Sequence, residues 1–425
     1  MLKALRGTKD ILPTDVGVWQ YIETTARKIF SIYGYKEIRT PIIEEAPLFI
    51  RSIGDATDIV QKEMYVFTDR GGRSIALRPE ATASVVRAYL ENYSGRLEPL
   101  AKFFYIGPMF RSERPQKGRQ RQFHQLGIEA IGSDNPLLDA EVISLAVNFL
   151  EKLDISGDDF SLKINSLGCQ KDKLAIIEKY KKVVKPYLKS LCDECNARCS
   201  KNVLRVFDCK NPQCKEIIKD IEFKNLLCGN CTEHFDSVKA GLDNLKIPYI
   251  VDPKIVRGLD YYTKTVFEII QKNLGAKDAI CAGGRYNNLI RDMGGKDTAA
   301  IGFAFGIERL VLVIKEGFSK LPPPPGFFIA TSNEKLYERA FELMDGLRGD
   351  GHSCDMEYEK KSLKAQMRKA QRLNAGFVII LGEDEFARGK VVIRDMDTGN
   401  QQEAAYNKDV ILSEVKQILK KEKAS

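Results

Sequence analysis

The sequence predicts an α+β chain in more than one compact part, and three observations carry that prediction. Two strand-like runs, 102–111 and 122–131, flank a loop holding Pro, Gly and several cations, which reads as a long antiparallel hairpin with a basic tip. The run Leu321-Pro322-Pro323-Pro324-Pro325-Gly326 is a stiff linker and marks a boundary. Beyond it, strand-like stretches at 327–330, 377–381 and 391–394 alternate with helical periodicity, as in a small α/β domain.

A length of 425 residues allows two or three domains, each with its own core, and 44% hydrophobic with 29% charged residues is ordinary for a soluble globular protein. The N-terminus lacks the apolar segment of a signal peptide and no later run could span a bilayer, so a cytoplasmic protein with no membrane partner is expected. A net charge of +8 leans only weakly toward a polyanionic partner at this length. In the cytosol the ten cysteines would be reduced, which leaves metal binding as their competing use.

In chain order, Trp19, Ile22, Ala26, Ile29, Phe30 and Tyr33 fall at helical spacing over 15–33, with Asp15 placed to cap and Gly34 past the end. Pro41 turns the chain after a short strand-like run. The stretch Leu77-Arg78-Pro79-Glu80-Ala81-Thr82 ends a strand and opens a helix, because Pro79 suits a helix start and Val85, Val86, Tyr89 and Leu90 supply an apolar stripe. Glu80 and Thr82 then lie near a helix N-terminus, where capping and amine binding are both open.

On the hairpin's returning strand, alternation puts Phe123, Gln125, Gly127 and Glu129 on one face and His124, Leu126 and Ile128 on the other. The second face is core. The first is a polar floor, where Gly127 clears room for a ligand, Phe123 offers a ring, Glu129 offers a carboxylate, and Arg111, Arg114 and Arg121 would gather anionic groups. A charged surface hairpin fits the same residues equally well.

A helix over about 137–153 and an alternating strand over 160–165 follow, and then the Lys- and Cys-rich stretch 170–248 reads as an insertion. Within it, Cys192-x2-Cys195 and Cys228-x2-Cys231 have the form of two zinc knuckles, with Cys199, Cys209 and Cys214 as further candidates. Reduced thiols are the alternative, so a structural Zn²⁺ is possible and no residue is assigned to a metal.

Strand-like sequence returns over 257–269, where Gly258 beside Arg257 allows close backbone approach to a ligand. Ala282-Gly283-Gly284-Arg285-Tyr286 reads as a second Gly-rich junction or an ordinary turn. Over 300–306, Gly302, Ala304 and Gly306 alternate with Ile301, Phe303 and Phe305, giving a bare face suited to a planar ring and a core face. Arg309 then opens a helix whose N-terminal dipole favours anions. In the last domain, Lys361, Lys364, Arg368 and Arg372 form a basic stripe over 361–373 opposite Leu363, Met367, Ala370 and Leu373, either a solvated face or a set of phosphate contacts.

Nearly end to end, the chain resembles the bacterial-type histidyl-tRNA synthetases, class II aminoacyl-tRNA ligases. Phe110-Arg111-Ser112-Glu113-Arg114 with Arg121-Gln122-Phe123-His124-Gln125 resembles their motif 2, the region around Pro41 their motif 1, and Gly306-Ile307-Glu308-Arg309-Leu310 their motif 3. Residues 257–262 and 282–286 resemble the two histidine signatures. Ser112 departs from the family, in which His is common at that place.

The resemblance implies a class II antiparallel-sheet catalytic domain with a helical insertion and a C-terminal α/β anticodon-binding domain. The implied division is 1–169 for the first catalytic part, 170–248 for the insertion, 249–321 for the second catalytic part, 322–326 for the linker and 327–425 for the last domain. It further implies ATP-dependent ligation of L-histidine to the 3′ end of tRNA(His) through a histidyl-adenylate, with ATP and Mg²⁺, in a homodimer. Arg257 and Arg111 would be catalytic. Glu80, Thr82 and Gln125 would hold the amino acid's α-amino group, with Glu129, Tyr262 and Tyr286 facing its imidazole. Arg111, Glu113, Arg114 and Arg121 would hold the phosphates with Mg²⁺, and Phe123 and Arg309 would sandwich the adenine. Gln116, Lys117 and Arg119, with Lys361, Lys364 and Arg368, would meet tRNA. The alternative is a non-catalytic, histidine-binding regulatory subunit of ATP phosphoribosyltransferase, whose members lack the C-terminal domain and have degraded ATP and tRNA motifs; this chain has all of them.

Overall fold

The structure, a computed structural model, describes residues 2–422 except 56, 96–99, 117, 202, 210, 220, 222–225, 256–257, 272–278 and 315–325. Arg257, Lys117 and linker residues 322–325 therefore lie outside the described residues. The chain forms two compact units, Met1–Lys320 and Leu321–Ser425.

The strands of the first unit are β1 (Lys36–Glu37), β2 (Ile43–Glu45), β3 (Tyr65–Thr68), β4 (Ser74–Leu77), β5 (Ala101–Phe110), β6 (Gln122–Ile131), β7 (Phe160–Ser166), β8 (Ile250–Val251), β9 (Thr263–Gln271), β10 (Ala279–Arg285) and β11 (Ala300–Gly306). Eight of them make one sheet in the order β1-β5-β6-β11-β10-β9-β7-β8, antiparallel except at its two edge pairs; β2, β4 and β3 make a small separate sheet. The helices are α1 (Pro13–Ile32), α2 (Ala46–Ile53), α3 (Thr82–Asn92), α4 (Pro136–Lys152), α5 (Gln170–Val184), α6 (Asp193–Lys201), α7 (Pro212–Lys219), α8 (Gly229–Asn244), α9 (Leu289–Asp292) and α10 (Ile307–Ile314).

Helix α1 starts at Pro13, whose missing N–H costs nothing in a first turn, so Asp15 lies inside that turn and Leu12 is the N-cap, not Asp15. Its apolar face, with Trp19, Ile22 and Phe30, and that of α4, with Val142, Ile143 and Phe149, bury one side of the sheet, meeting Leu126, Ile128, Phe303 and Phe305. The hairpin alternation is as expected from sequence. His124, on that same side, stacks edge-on against Trp19 with ring centres 5.0 Å apart.

The opposite side of the sheet is the floor. Register sets Gly302 beside Glu129, Ala304 beside Gly127 and Gly306 beside Gln125, and it pairs β10 with β11 through Gly283–Phe303 and Gly284–Gly302. Residues Ala282 to Arg285 are thus strand interior and not a turn, because two flanking strands take their backbone groups. The reason for Gly127 also differs from the expected one. A Cβ there would lie 2.4 Å from the Phe303 carbonyl oxygen and 2.5 Å from the Tyr105 hydroxyl, so its neighbours exclude a side chain before any ligand does.

Helices α5 to α7 and the segments between them carry a small core of their own, built from Ile176, Tyr180, Val184, Val203, Val206 and Ile218 with Cys195, Cys209 and Cys214. Helix α8 returns to the sheet, where Phe235, Val238 and Leu242 join the main core. Beside them lies a buried charge network: Asp139 of α4 forms an ion pair with Arg285 Nη2 at 2.5 Å and meets His234 Nε2 of α8 at 3.0 Å. Arg285 also donates to the Ser133 and Asn135 carbonyls, at 2.9 and 3.0 Å.

The second unit has a five-stranded sheet of β12 (Phe327–Thr331), β13 (Cys354–Met356), β14 (Phe377–Leu381), β15 (Lys390–Asp395) and β16 (Gln401–Ala405) in the order β13-β12-β14-β15-β16. It carries α11 (Tyr337–Gly349), α12 (Leu363–Arg372), α13 (Glu383–Ala387) and α14 (Lys408–Glu422). Lys361 precedes α12 and pairs with Glu359 at 2.9 Å, while Lys364, Arg368 and Arg372 are exposed on it. Two positions differ from the expected buried face. Leu373 is exposed, and Gln366 is buried because its amide bonds both the N–H and the carbonyl of Thr331, each at 2.9 Å. No described helix is long and apolar enough to cross a membrane.

Candidate functional site

A cavity of about 290 Å³ lies over the floor of the large sheet. Its chemistry divides into two ends. At one, Glu129 points up from β6 and is 1% exposed; its two oxygens accept from the Thr82 hydroxyl at 2.7 Å and the Tyr286 hydroxyl at 2.5 Å. Gly302 makes that arrangement possible, since a Cβ there would stand 1.9 Å from Glu129 Oε2. Burial pushes the Glu129 carboxyl up to about 8 against the pull of the Tyr286 and Thr82 donors, and the neighbouring Glu80 adds to the rise.

Glu80 lines the same end, and its carboxylate accepts the backbone N–H groups of Thr82 at 2.7 Å and Ala83 at 2.9 Å. It therefore caps α3 and faces the cavity at once, so the two readings of this residue are compatible. Burial raises its pKa, partly offset by those N–H donors. Tyr105, Tyr261 and Tyr286 are all held neutral by burial, with Glu129 pushing the same way on all three and Glu80 on Tyr105 and Tyr261. The tyrosines stay uncharged, and it is the Glu80 and Glu129 carboxyls that suit this end to a ligand with cationic or N–H groups.

The other end is basic and aromatic. Arg111 follows β5, donates to the Pro79 carbonyl at 3.0 Å, and sets its guanidinium 5.2 Å from the centre of the Phe123 ring. Burial lowers the Arg111 pKa, and the charges of Glu63, Glu113 and Glu80 oppose that. Glu113 pairs with Arg119 at 2.9 Å. Arg309, in the first turn of α10, reaches the Ala279 carbonyl and donates to the Gly118 carbonyl at 3.5 Å, fixing the hairpin loop against β10. Glu308 accepts from the His124 backbone N–H at 2.9 Å and contacts its ring Nδ1 at 3.0 Å, locking α10 to β6.

Of the residues singled out in the sequence, the cavity gathers Glu80, Thr82, Arg111, Glu113, Arg119, Phe123, Gln125, Glu129, Tyr262, Tyr286 and Arg309. Arg114 and Gln116 are exposed on the hairpin loop, off the cavity wall. Arg121 is also off the wall, because its backbone is pinned to the Gly7 carbonyl at 2.7 Å and its side chain packs on Gly7. Lys361, Lys364 and Arg368 belong to the second unit. Wall residues to which the sequence gave no role include Tyr105, Tyr261 and Glu268. Strand alternation could have found Tyr105, which pairs across from Gly127, and Glu268, which pairs with Ala282.

Comparison with known proteins agrees with this geometry. The histidyl-tRNA synthetase family matches residues 7–193 and 215–310, and the anticodon binding domain family matches 324–422. A histidine–tRNA ligase of Halothermothrix orenii is 50% identical over 406 residues, covering 95% of this chain and 96% of that protein. One of Syntrophotalea carbinolica is 47% identical over 410 residues, covering 95% and 96%. The crystal structure of apo S. aureus histidyl-tRNA synthetase superposes with a TM-score of 0.79 at 36% identity, over 95% of this chain and 97% of that one. With a buried carboxylate held between two hydroxyls on the sheet floor, an arginine-rich hairpin beside it and relatives matched over almost their whole length, this chain belongs to the histidyl-tRNA synthetase family.

Proposed function

We propose that the chain joins L-histidine to the 3′ end of tRNA(His) by way of a histidyl-adenylate, releasing diphosphate and AMP. The observation that carries this reading is the buried Glu129, held by Thr82 and Tyr286 on a strand that also presents Gln125 and Phe123 to the cavity. An acceptor fixed in that way rewards an imidazole N–H. A side chain without the donor leaves a buried carboxyl unpaired, a penalty that can discriminate by about 10⁴ to 10⁵.

Glu80, Thr82 and Gln125 would hold the α-amino group, with Tyr262 and Tyr286 closing around the ring. In the first step a histidine carboxylate oxygen attacks the α-phosphorus of ATP and the bond to diphosphate breaks. Two anions must approach each other, so the demand on the protein is charge neutralisation and alignment. Arg111 meets it from the cavity wall and Arg114 from the hairpin loop, with Phe123 and Arg309 on either side of the adenine. Arg257 would bridge the amino acid's carboxylate and the α-phosphate. In the second step the terminal ribose hydroxyl of tRNA attacks the acyl carbon and AMP leaves.

Enzymes of this class use ATP with Mg²⁺, and the carboxylate of Glu113 among the arginines of the basic end is a hard oxygen donor of the kind that cation takes. Glu113 would hold the ion, which when bound offsets phosphate charge.

The second unit would bind the anticodon arm, and its exposed Lys364 and Arg368 with Lys361 supply the phosphate contacts. A homodimer is proposed through the region of Pro41, supported by exposed apolar side chains there: Ile42, Ile43, Ile50, Val66 and Phe67. We place the reaction in the cytoplasm. The domain division at 169, 248 and 321 is proposed with it. The alternative, a non-catalytic histidine-binding regulator, loses support to the anticodon-domain match and the arginine-rich hairpin; likeness to a Bacillus halodurans protein titled as such a regulatory subunit or synthetase, at 22% identity, is one of fold.

Histidine-dependent exchange of pyrophosphate into ATP tests the reading. Wild-type protein should catalyse it and Arg257→Ala should lose it while still binding tRNA. Near-normal exchange in that variant would sink the assignment.

A further inference from the structure

The structure keeps each of the two cysteine pairs set by spacing together, gives each its own further partners and leaves Cys199 out of both sets. Cys192 and Cys195 converge with Cys209 and Cys214, while Cys228 and Cys231 converge with Cys169 and Asp172; in each set the ligand atoms lie within 4.8 Å of one another. We propose that the helical segment α5–α8 is organised by two transition-metal sites of the zinc class. One is a tetrathiolate site in the body of the segment. The other is a three-sulfur, one-carboxylate site at its neck.

The body site has the dimensions zinc needs. Four sulfurs at about 2.3 Å from a tetrahedral ion stand roughly 3.8 Å apart, and Cys192 Sγ and Cys209 Sγ are 3.9 Å apart. They are not disulfide partners, since all ten cysteines are free. Cys195, Cys209 and Cys214 are buried at 0, 4 and 0% exposure. The Cys192 backbone N–H points at Cys214 Sγ at 3.2 Å, a donor of the kind that steadies a metal-bound thiolate.

The surrounding fold is also too slight to stand without a staple. Helices α6 and α7 have 9 and 8 residues, below the roughly 12 to 15 at which an isolated helix becomes marginally stable. The family match breaks at 193 and resumes at 215, so Cys195 and Cys209 fall in a stretch that the family description passes over.

The neck site rests on separate residues. Cys169 is the N-cap of α5 and Cys228 that of α8, so two helix N-termini meet there, each favouring anionic ligands. The Cys169 backbone N–H lies 3.2 Å from Cys231 Sγ. One turn into α5, Lys173 donates to the carbonyls of Asp260 at 2.6 Å and Tyr262 at 3.5 Å, and Tyr262 lines the histidine end of the cavity. A metal at the neck therefore braces the helix that braces the pocket.

Elemental analysis of the full-length protein, purified with reductant and without chelator, tests both sites. Two zinc equivalents per chain are expected, falling by one in Cys214→Ser and by one in Cys228→Ser, and unchanged in Cys199→Ser and Cys354→Ser. Reconstitution of the wild type with Co²⁺ should give thiolate-to-metal charge-transfer bands with the intense visible absorption of tetrahedral cobalt, a readout that needs no variant to fold. Cys228→Ser should also raise the KM for histidine several-fold with the KM for ATP unmoved. One equivalent that only Cys214→Ser removes would overturn the neck site; wild-type protein with neither stoichiometric metal nor a cobalt spectrum would overturn both.

Discussion

Replacing Tyr286 with Phe removes one oxygen and keeps a ring that is 1% exposed, which makes it a clean probe of how Glu129 is tuned. The lost bond, 2.5 Å from Glu129 Oε2, is one of the two hydroxyl donors to that carboxylate. A hydrogen bond to a charged group is worth about 1.5 to 3 kcal/mol. At about 1.36 kcal/mol per unit, the Glu129 pKa should rise by about one to two units from its present value. That value is about 8. Near neutral pH the ionised fraction then falls by about tenfold or more, and the KM for histidine in pyrophosphate exchange should rise by about 10- to 100-fold. The defect should shrink as pH is raised, and the KM for ATP should stay put. A histidine KM that is unchanged, or a defect equal at every pH, would refute the role given to ionised Glu129.

The same group links pocket to stability. With its folded pKa raised from 4.5 to about 8, the native state keeps a proton that the unfolded chain has lost. Stability from this group is therefore full below the lower value, falls as pH rises through the window, and levels off above the upper value. Tyr286→Phe should extend the falling limb to higher pH, and bound histidine should oppose it.

Other expectations follow from the same geometry. Gly302→Ala drives a Cβ to 1.9 Å from Glu129 Oε2 and 2.4 Å from the Ile128 carbonyl oxygen; a displacement of that order should lower histidine-dependent exchange roughly 100-fold, and retained exchange would show that the floor yields. Arg285→Met strands the buried Asp139 carboxylate and should cost about 3 to 5 kcal/mol in chemical denaturation; a loss under about 1 kcal/mol would mean that His234 alone satisfies Asp139. Lys364→Ala with Arg368→Ala should leave exchange intact and reduce the salt dependence of tRNA binding by roughly one to two in the log–log slope. An unchanged slope would return these side chains to solvent.

Much of the site was legible because strands impose a period of two. Phe123, Gln125 and Glu129 could be put on one face from order alone, and the bare face of β11 beside them came from the same rule. What escaped were partnerships across long sequence separations. Arg285 and His234 each meet Asp139 across roughly a hundred residues or more of chain, and nothing local marks them. The glycines were legible as close approaches but not as to what approaches: Gly127 yields to Tyr105 and Phe303, Gly302 to Glu129. Cysteine spacing gave each pair correctly and left the partner of each pair open, since chain reversal between α5 and α8 decides it. Apolar periodicity also could not show that Gln366 is buried, since its place is set by the bonds of its amide to Thr331.

The contacts of α5 and α8 bear on any attempt to trim this enzyme. Excising 170–244 would remove Lys173 from the carbonyls of Asp260 and Tyr262 and His234 from Asp139 in a single cut. The cavity end that holds Glu129 and Tyr262 would lose its backing, and the ion pair next to Tyr286 would lose its third member. A shortened catalyst would need a polar replacement at both places, so the helical segment buttresses the wall of the proposed amino-acid pocket from behind and cannot be handled as a detachable appendage.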